Sequence, residues 1–151
     1  MPEETPIQYA RRLALEKALA AAPRPGEIVL GADTVVVVDD QILEKPADAA
    51  HARAMLRLLS GREHAVITGI CLVHDNGSVS DHASTQVRFA PLSEAEISDY
   101  AASGEPMGKA GAYAIQGLAS KFVERIEGCY FNVMGLPLSL VYRHWKALTG
   151  S

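Results

Sequence analysis

Apolar residues recur at helical spacing in four segments of this 151-residue chain. The first runs from Thr5 to Ala22, where Thr5 is placed to cap the helix, Pro6 lies in its first turn and alanines form one face. The second and fourth helices are predicted over Asp48–Ser60 and Pro137–Leu148. The third covers residues 93–103 and begins with a Ser-x-x-Glu capping box.

The remaining apolar segments have the pattern of strands. Gly26–Val38 ends in four consecutive valines, too apolar for a solvent-facing strand, and a short strand returns over Gln41–Leu43. Residues 63–73 and 79–90 flank an Asn-Gly turn and predict a second hairpin. Tyr113–Gly117 and Phe122–Ile126 are predicted to be extended. This order predicts one α/β (α+β) domain over residues 1–151, with a mixed sheet and flanking helices rather than a doubly wound parallel sheet.

Composition and charge narrow the class of ligand. The formal net charge is −4 and the longest basic run is Arg11-Arg12, which argues against binding to duplex nucleic acid but leaves a small anionic ligand open. The two cysteines, Cys71 and Cys129, are far apart and predict neither a disulfide framework nor a zinc site. No apolar run approaches the roughly 18 residues of a membrane span, and the start is acidic. We therefore expect a soluble cytoplasmic protein.

Candidate chemistry centres on Asp33, a carboxylate next to the valine run that is costly to bury unless a charged group uses it. The glycine-rich dinucleotide motif, the P-loop and the serine-hydrolase motif are absent, and no histidine pair has metal-ligand spacing. Lys17 and Lys45, with Lys109 or Lys121, complete a set of side chains that suits phosphate chemistry. For Lys17 the alternative is an ordinary solvated helix residue.

Six blocks, in order along the chain, resemble the Maf family of nucleoside triphosphate pyrophosphatases. They are Gly31–Val35, Glu44–Pro46, Leu59–His64, Tyr113–Gly117, Ile126–Gly128 and Asn132–Leu138. The resemblance implies a two-lobed fold similar to the inosine triphosphate pyrophosphatases and hydrolysis of nucleoside triphosphates to the monophosphate and pyrophosphate. It implies that Asp33 activates water, that Lys17 and Lys45 hold phosphate oxygens, and that a divalent cation, Mg²⁺ or Mn²⁺, takes part and can touch Asp33. It also implies a homodimer.

The substrate is indicated by two further residues of the same blocks. Thr34, directly after the aspartate, and Gln116 within Ile115-Gln116-Gly117 resemble the dTTP/UTP subgroup, so we expect both to bind substrate. A Gln side chain offers one acceptor and one donor, which matches the N3–H and carbonyl edge of thymine or uracil. The alternative for Gln116 is a polar loop residue without a ligand.

One departure from the family pattern affects these expectations. The family begins with a strand and a Ser-x-Ser-Pro-Arg-Arg loop on the phosphate side of its cleft, whereas this sequence starts at Met1 just before the first helix. If that segment is missing, we expect reduced activity. The alternative function is a truncated, weakly active or non-catalytic nucleotide-binding protein linked to septum formation in cell division. A purine-selective enzyme of the inosine triphosphate type is a third hypothesis.

Overall fold

The computed structural model describes residues 4–21 and 23–150. Within them, two 3₁₀-helical turns, over residues 110–112 and 118–122, accompany five α-helices and five strands. In chain order these are α1 (Pro6–Ala20), β1 (Val29–Val38), β2 (Gln41–Leu43), α2 (Ala49–Leu59), β3 (Glu63–His74), β4 (Gly77–Phe89), α3 (Glu94–Ala102), β5 (Val123–Glu127), α4 (Tyr130–Met134) and α5 (Leu138–Thr149).

All four predicted helices are confirmed. In α1 the Thr5 side chain accepts a hydrogen bond from the N–H of Gln8, and the Gln8 side-chain oxygen accepts one from the N–H of Thr5, so a capping box fixes the start of the helix. The predicted end at Ala22 lies outside the described residues. The Ser93–Glu96 capping box of α3 forms in the same reciprocal way. Both predicted hairpins are also present, with β3 and β4 joined by a two-residue turn.

Three local predictions are wrong. Tyr113–Gly117 does not form a strand: Tyr113 has extended φ and ψ, but residues 115–117 form a turn, and positive φ at Gly111 and Ala112 interrupts the chain just before it. The short helix α4 has no counterpart in the apolar pattern, because five residues are too few to show a period. The first strand begins at Val29 rather than at the predicted Gly26, and Asp33 lies near its middle.

The strands form one sheet in the order β2-β1-β3-β4-β5. The edge strands pair antiparallel with their neighbours: β2 through Val38 opposite Gln41, and β5 through Val87 opposite Ile126. This confirms an α/β (α+β) fold with a sheet and helices, but the five-stranded sheet is antiparallel rather than mixed as predicted. Within the described part of the chain, no helix combines the length and hydropathy of a transmembrane span.

The chain divides into two compact units. The first comprises the described residues within Met1–Thr34, Ile67–Ser84 and Cys129–Ser151, and the second comprises Val35–Val66 and Thr85–Gly128. In the first unit, α1 turns its three fully buried alanines inward: Ala10, Ala14 and Ala18.

The interior of the second unit contains a cluster of aromatic rings among its aliphatic side chains. The ring of Phe89 packs edge-on against Tyr113 with 4.8 Å between centroids, and Tyr100 packs edge-on against Phe122 at 5.6 Å. His64 is buried beside them, and its Nε2 is 2.7 Å from the hydroxyl of Tyr113. Aromatic rings bury large apolar areas, so this cluster contributes strongly to the packing of the unit.

Candidate active site

Close contact between α1 and β1 positions Asp33 and Lys17 in the first unit. Gly31 lies against the helix backbone: a Cβ atom there would overlap the carbonyl oxygen of Ala14 and lie 2.7 Å from the amide nitrogen of Ala18. The strand can approach this closely because Gly31 has no side chain and the facing helix residues are alanines. Lys17, between those alanines in sequence, therefore reaches Asp33, two residues further along the strand.

The two predicted charged residues form a salt bridge. Lys17 Nζ donates to Asp33 Oδ1 at 2.6 Å, and the side chains are 56% and 14% exposed, respectively. An ion pair this open to solvent contributes less than about 1 kcal/mol to stability. The second carboxylate oxygen of Asp33 lies outside this bond. The salt bridge therefore contributes little to the stability of the fold. Its main consequence is that a cation and a carboxylate lie together at the surface.

Thr34, the next residue of β1, lies in a hydrogen-bonded group within the first unit. Its hydroxyl is 2.8 Å from the hydroxyl of Thr68 on β3 and donates weakly to the carbonyl of Gly135 at 3.5 Å. Thr68 is fully buried and donates to the carbonyl of Asn132 at 3.3 Å. The block that begins at Asn132 is thus tied to the Asp-Thr pair, although the two are about a hundred residues apart in sequence. The role of Thr34 in base selection stays a prediction.

The second unit contains Lys45 and Gln116, both of them exposed. Lys45 follows β2, and the carbonyl of its neighbour Glu44 accepts a hydrogen bond from the N–H of Gly111 at 3.1 Å. This bond links the β1–β2 hairpin to the glycine-containing loop that leads to Gln116. The binding roles of Lys45 and Gln116 also stay predictions.

The two further lysines considered from the sequence belong to the second unit as well. Lys121 lies over the ring of Phe122, with its Nζ 5.5 Å from the centroid, and Lys109 lies where its charge acts on Glu105. A cation over an aromatic face is a common way to cover apolar surface. Lys121 thus has a structural partner within its own unit.

Two residues of the second unit, Tyr100 and Glu105, were missed in the sequence. The hydroxyl of Tyr100 donates to Glu105 Oε2 at 2.5 Å, and Glu105 Oε1 accepts from the N–H of Leu118 at 3.0 Å. Tyr100 reads as an ordinary core residue of α3, and Glu105 stands in an irregular loop that periodicity does not resolve. The one sequence feature that could have indicated this contact is Glu105 itself, an isolated acidic residue in a glycine-rich loop.

Comparison of the sequence with known proteins identifies the family of this chain. The Maf-like protein family matches residues 1–148. The chain belongs to the Maf family. It is similar to a dTTP/UTP pyrophosphatase of Koribacter versatilis, with 54% identity over 93% of this chain and 73% of the relative. Its similarity to proteins of the same name is 53% in Geobacillus sp., over 96% and 78% of the two chains, and 47% in Thermococcus gammatolerans, over 92% and 75%.

The divalent cation expected from the resemblance can be tested against the side chains. Among residues 4–21 and 23–150, no three His, Cys, Asp or Glu side chains are close enough together to hold a metal ion. Mg²⁺ in nucleotide-binding sites is usually held by one or two carboxylates together with substrate phosphates and water. Asp33 fits that kind of site as its single carboxylate, whereas the residues that the structure describes do not fit a site built from protein ligands alone.

Proposed function

We propose that this protein hydrolyses dTTP and UTP to the nucleoside monophosphate and pyrophosphate. The observation that carries the proposal is the Lys17–Asp33 pair, which stands at the positions that the Maf resemblance assigns to chemistry. The name that the three relatives share, dTTP/UTP pyrophosphatase, supports the choice of substrate.

In the proposed reaction Asp33 acts as the general base. Its carboxylate accepts a proton from water while the water oxygen forms a bond to the α-phosphorus. The bond from the α-phosphorus to the oxygen bridging to the β-phosphorus breaks, and pyrophosphate leaves with that electron pair. The proton on Asp33 then passes to solvent, which restores the carboxylate.

The remaining residues bind rather than react. Lys17 and Lys45 hold phosphate oxygens and spread negative charge, as cations do at transferring phosphoryl groups. Thr34 and Gln116 select the base. Asp33, together with the substrate phosphates, would hold Mg²⁺ or Mn²⁺, which would supply neutralisation of phosphate charge. We place the reaction in the cytoplasm, where cysteine thiols such as those of Cys71 and Cys129 stay reduced.

Replacement of Asp33 tests this function. Wild-type protein should release pyrophosphate from dTTP and UTP in the presence of Mg²⁺ or Mn²⁺. Asp33→Asn should lower turnover by roughly 10²-fold or more because the base is lost, while the thermal unfolding midpoint changes little. Asp40→Asn is the matched control, because Asp40 is exposed in the β1–β2 turn and Asn tolerates its positive φ.

Two results would contradict the proposal. If the wild-type protein binds dTTP without releasing pyrophosphate from any common triphosphate, a non-catalytic nucleotide-binding role takes its place. If purine triphosphates are cleaved in preference to pyrimidine ones, the assigned base selection is wrong. Calorimetry with dTTP in the absence of a metal measures the binding separately from the reaction.

We also infer that two copies of the chain associate. Along α4 and α5, large apolar side chains are more than 40% exposed: Phe131, Met134, Leu138, Tyr142 and Trp145. Soluble monomers rarely expose so many neighbouring apolar groups, and such patches commonly mark interfaces. Sedimentation equilibrium at micromolar concentration should give a mass of two chains, and a mass of one chain would contradict the inference.

A further inference from the structure

The turn that carries Gln116 is held by two side chains outside the Maf blocks. Residues 114–118 form a turn in which the N–H of Gly117 donates to the carbonyl of Ala114 at 3.1 Å. A short irregular turn has few backbone bonds of its own, so an exposed residue on it can take several orientations. Recognition of a base edge requires one orientation, held to within about 0.5 Å.

Glu105 contacts the turn from its C-terminal side. Its Oε1 accepts from the N–H of Leu118 at 3.0 Å, and the N–H of Ala119 donates to the same carboxylate. Gly117 makes this approach possible, because a Cβ atom at that position would overlap the carboxylate of Glu105. The φ of Gly117 is ordinary, so the missing side chain there serves close packing rather than backbone freedom.

Tyr100 contacts the turn from its N-terminal side. Its hydroxyl accepts from the N–H of Ala114 at 3.1 Å and donates its own proton to Glu105 Oε2. The ring is buried against Phe122, so the hydroxyl has a fixed position. One hydroxyl and one carboxylate therefore connect both ends of the turn, with Gln116 between them.

The protonation states agree with this arrangement. Burial, together with the neighbouring Glu105, raises the pKa of Tyr100, so its hydroxyl remains a donor at all physiological pH values. Burial opposes charge on Glu105, but the hydrogen bonds from Tyr100, Leu118 and Ala119, with the nearby Lys109, together lower the pKa of this carboxyl. An ionised carboxylate only accepts hydrogen bonds, which is what three converging donors require.

We propose that Glu105 and Tyr100 are positioning residues that orient Gln116 and thereby set the preference for thymine and uracil over other bases. This inference rests on the proposed function, because it assumes that Gln116 contacts the substrate base. Neither residue touches the nucleotide; each acts through the backbone of the Gln116 turn.

The test compares dTTP with dCTP, whose ring has the same size but lacks the N3–H. In Glu105→Gln the amide nitrogen replaces one acceptor with a donor, so one of the converging N–H or O–H groups loses its partner. We expect the ratio of kcat/KM for dTTP to that for dCTP to fall roughly tenfold, mainly through KM. Tyr100→Phe, which keeps the ring and removes the hydroxyl, should change the ratio in the same direction.

A double-mutant cycle separates positioning from general structural damage. In Gln116→Ala protein the base contact is already lost, so adding Glu105→Gln should leave the dTTP to dCTP ratio unchanged. The matched control is Glu94→Gln, which alters an exposed carboxylate on α3 that is paired with Arg57 and should not affect the ratio.

The outcomes distinguish this inference from the proposed function. An inactive wild-type protein would overturn both. An active wild-type protein whose dTTP to dCTP ratio is unchanged by Glu105→Gln and by Tyr100→Phe would overturn only the positioning role. Equal effects of Glu105→Gln with and without Gln116 would also overturn it. If Glu105→Gln does not fold, the Tyr100→Phe cycle with Gln116→Ala gives the same decision.

Discussion

The two units hold their predicted substrate-binding residues by different means. In the first unit, Lys17 and Asp33 lie on a helix and a strand whose backbones touch at Gly31, so the main chain itself sets the distance between the two side chains. In the second unit, Gln116 lies on a turn whose backbone N–H groups, at Ala114 and Leu118, donate to the side chains of Tyr100 and Glu105. Regular elements thus place the charged pair, whereas individual side chains place the predicted base selector.

The packing of each unit explains this difference. Alanines on α1 and glycines on the strands allow backbone contact; at Gly69 on β3, a Cβ atom would lie 2.5 Å from the carbonyl group of Ala10. The core of the second unit includes a cluster of aromatic rings, which are far larger than the alanine side chains of α1. Loops between such elements need polar side chains to satisfy their backbone groups. The first unit should therefore lose stability when a side chain at the helix–strand contact gains volume. The second unit should lose stability when a polar group is removed or becomes charged.

Gly31→Ala should break the first arrangement and have the largest effect on stability. The added methyl group meets backbone atoms of α1, which cannot rotate away, so we expect a loss of about 3 kcal/mol or more in the free energy of unfolding. Separation of α1 from β1 should also weaken the Lys17–Asp33 pair and lower pyrophosphatase activity. Urea unfolding measures the first effect, and pyrophosphate release at low temperature measures the second.

Gly26→Ala is the control for that variant. Gly26 belongs to the same unit and has open space around it, but its φ is +84°, so alanine there costs about 1 kcal/mol through backbone conformation alone. If Gly31→Ala is no less stable than Gly26→Ala, close backbone contact does not hold the first unit together.

The sequence predicted the regular elements much better than the side chains that orient the candidate site. Helices with caps and apolar faces, such as α1 and α3, carry their signal locally and were found. Lys17 and Asp33 were each predicted to belong to the site, but their salt bridge was not, because they are sixteen positions apart and no pattern links them. The contact between Glu105 and the turn around Gln116 was not predicted, because an irregular loop has no period and its hydrogen bonds depend on tertiary contacts.

Low pH should lower the stability of the second unit because of His64. This side chain is buried among aromatic rings, and burial lowers its pKa to about 4 from the ordinary value of 6.5. Below pH 6.5 the unfolded chain therefore binds a proton that the folded protein does not. Stability from this group is fully present above pH 6.5 and is lost as the pH falls toward 4, by roughly 2 kcal/mol at pH 5.

His64→Phe separates this effect from other acid-sensitive groups. Phenylalanine keeps a ring against Phe89 but does not titrate, and it loses the hydrogen bond to Tyr113, at a cost of about 1–2 kcal/mol. We therefore expect the variant to be less stable than wild type at pH 7.5 yet to lose little further stability between pH 7.5 and 5. Urea unfolding at both pH values measures this. His51→Gln, an exposed control, should keep the wild-type loss. A wild-type pH response in His64→Phe would show that the aromatic core tolerates acid and that polar groups elsewhere set the response.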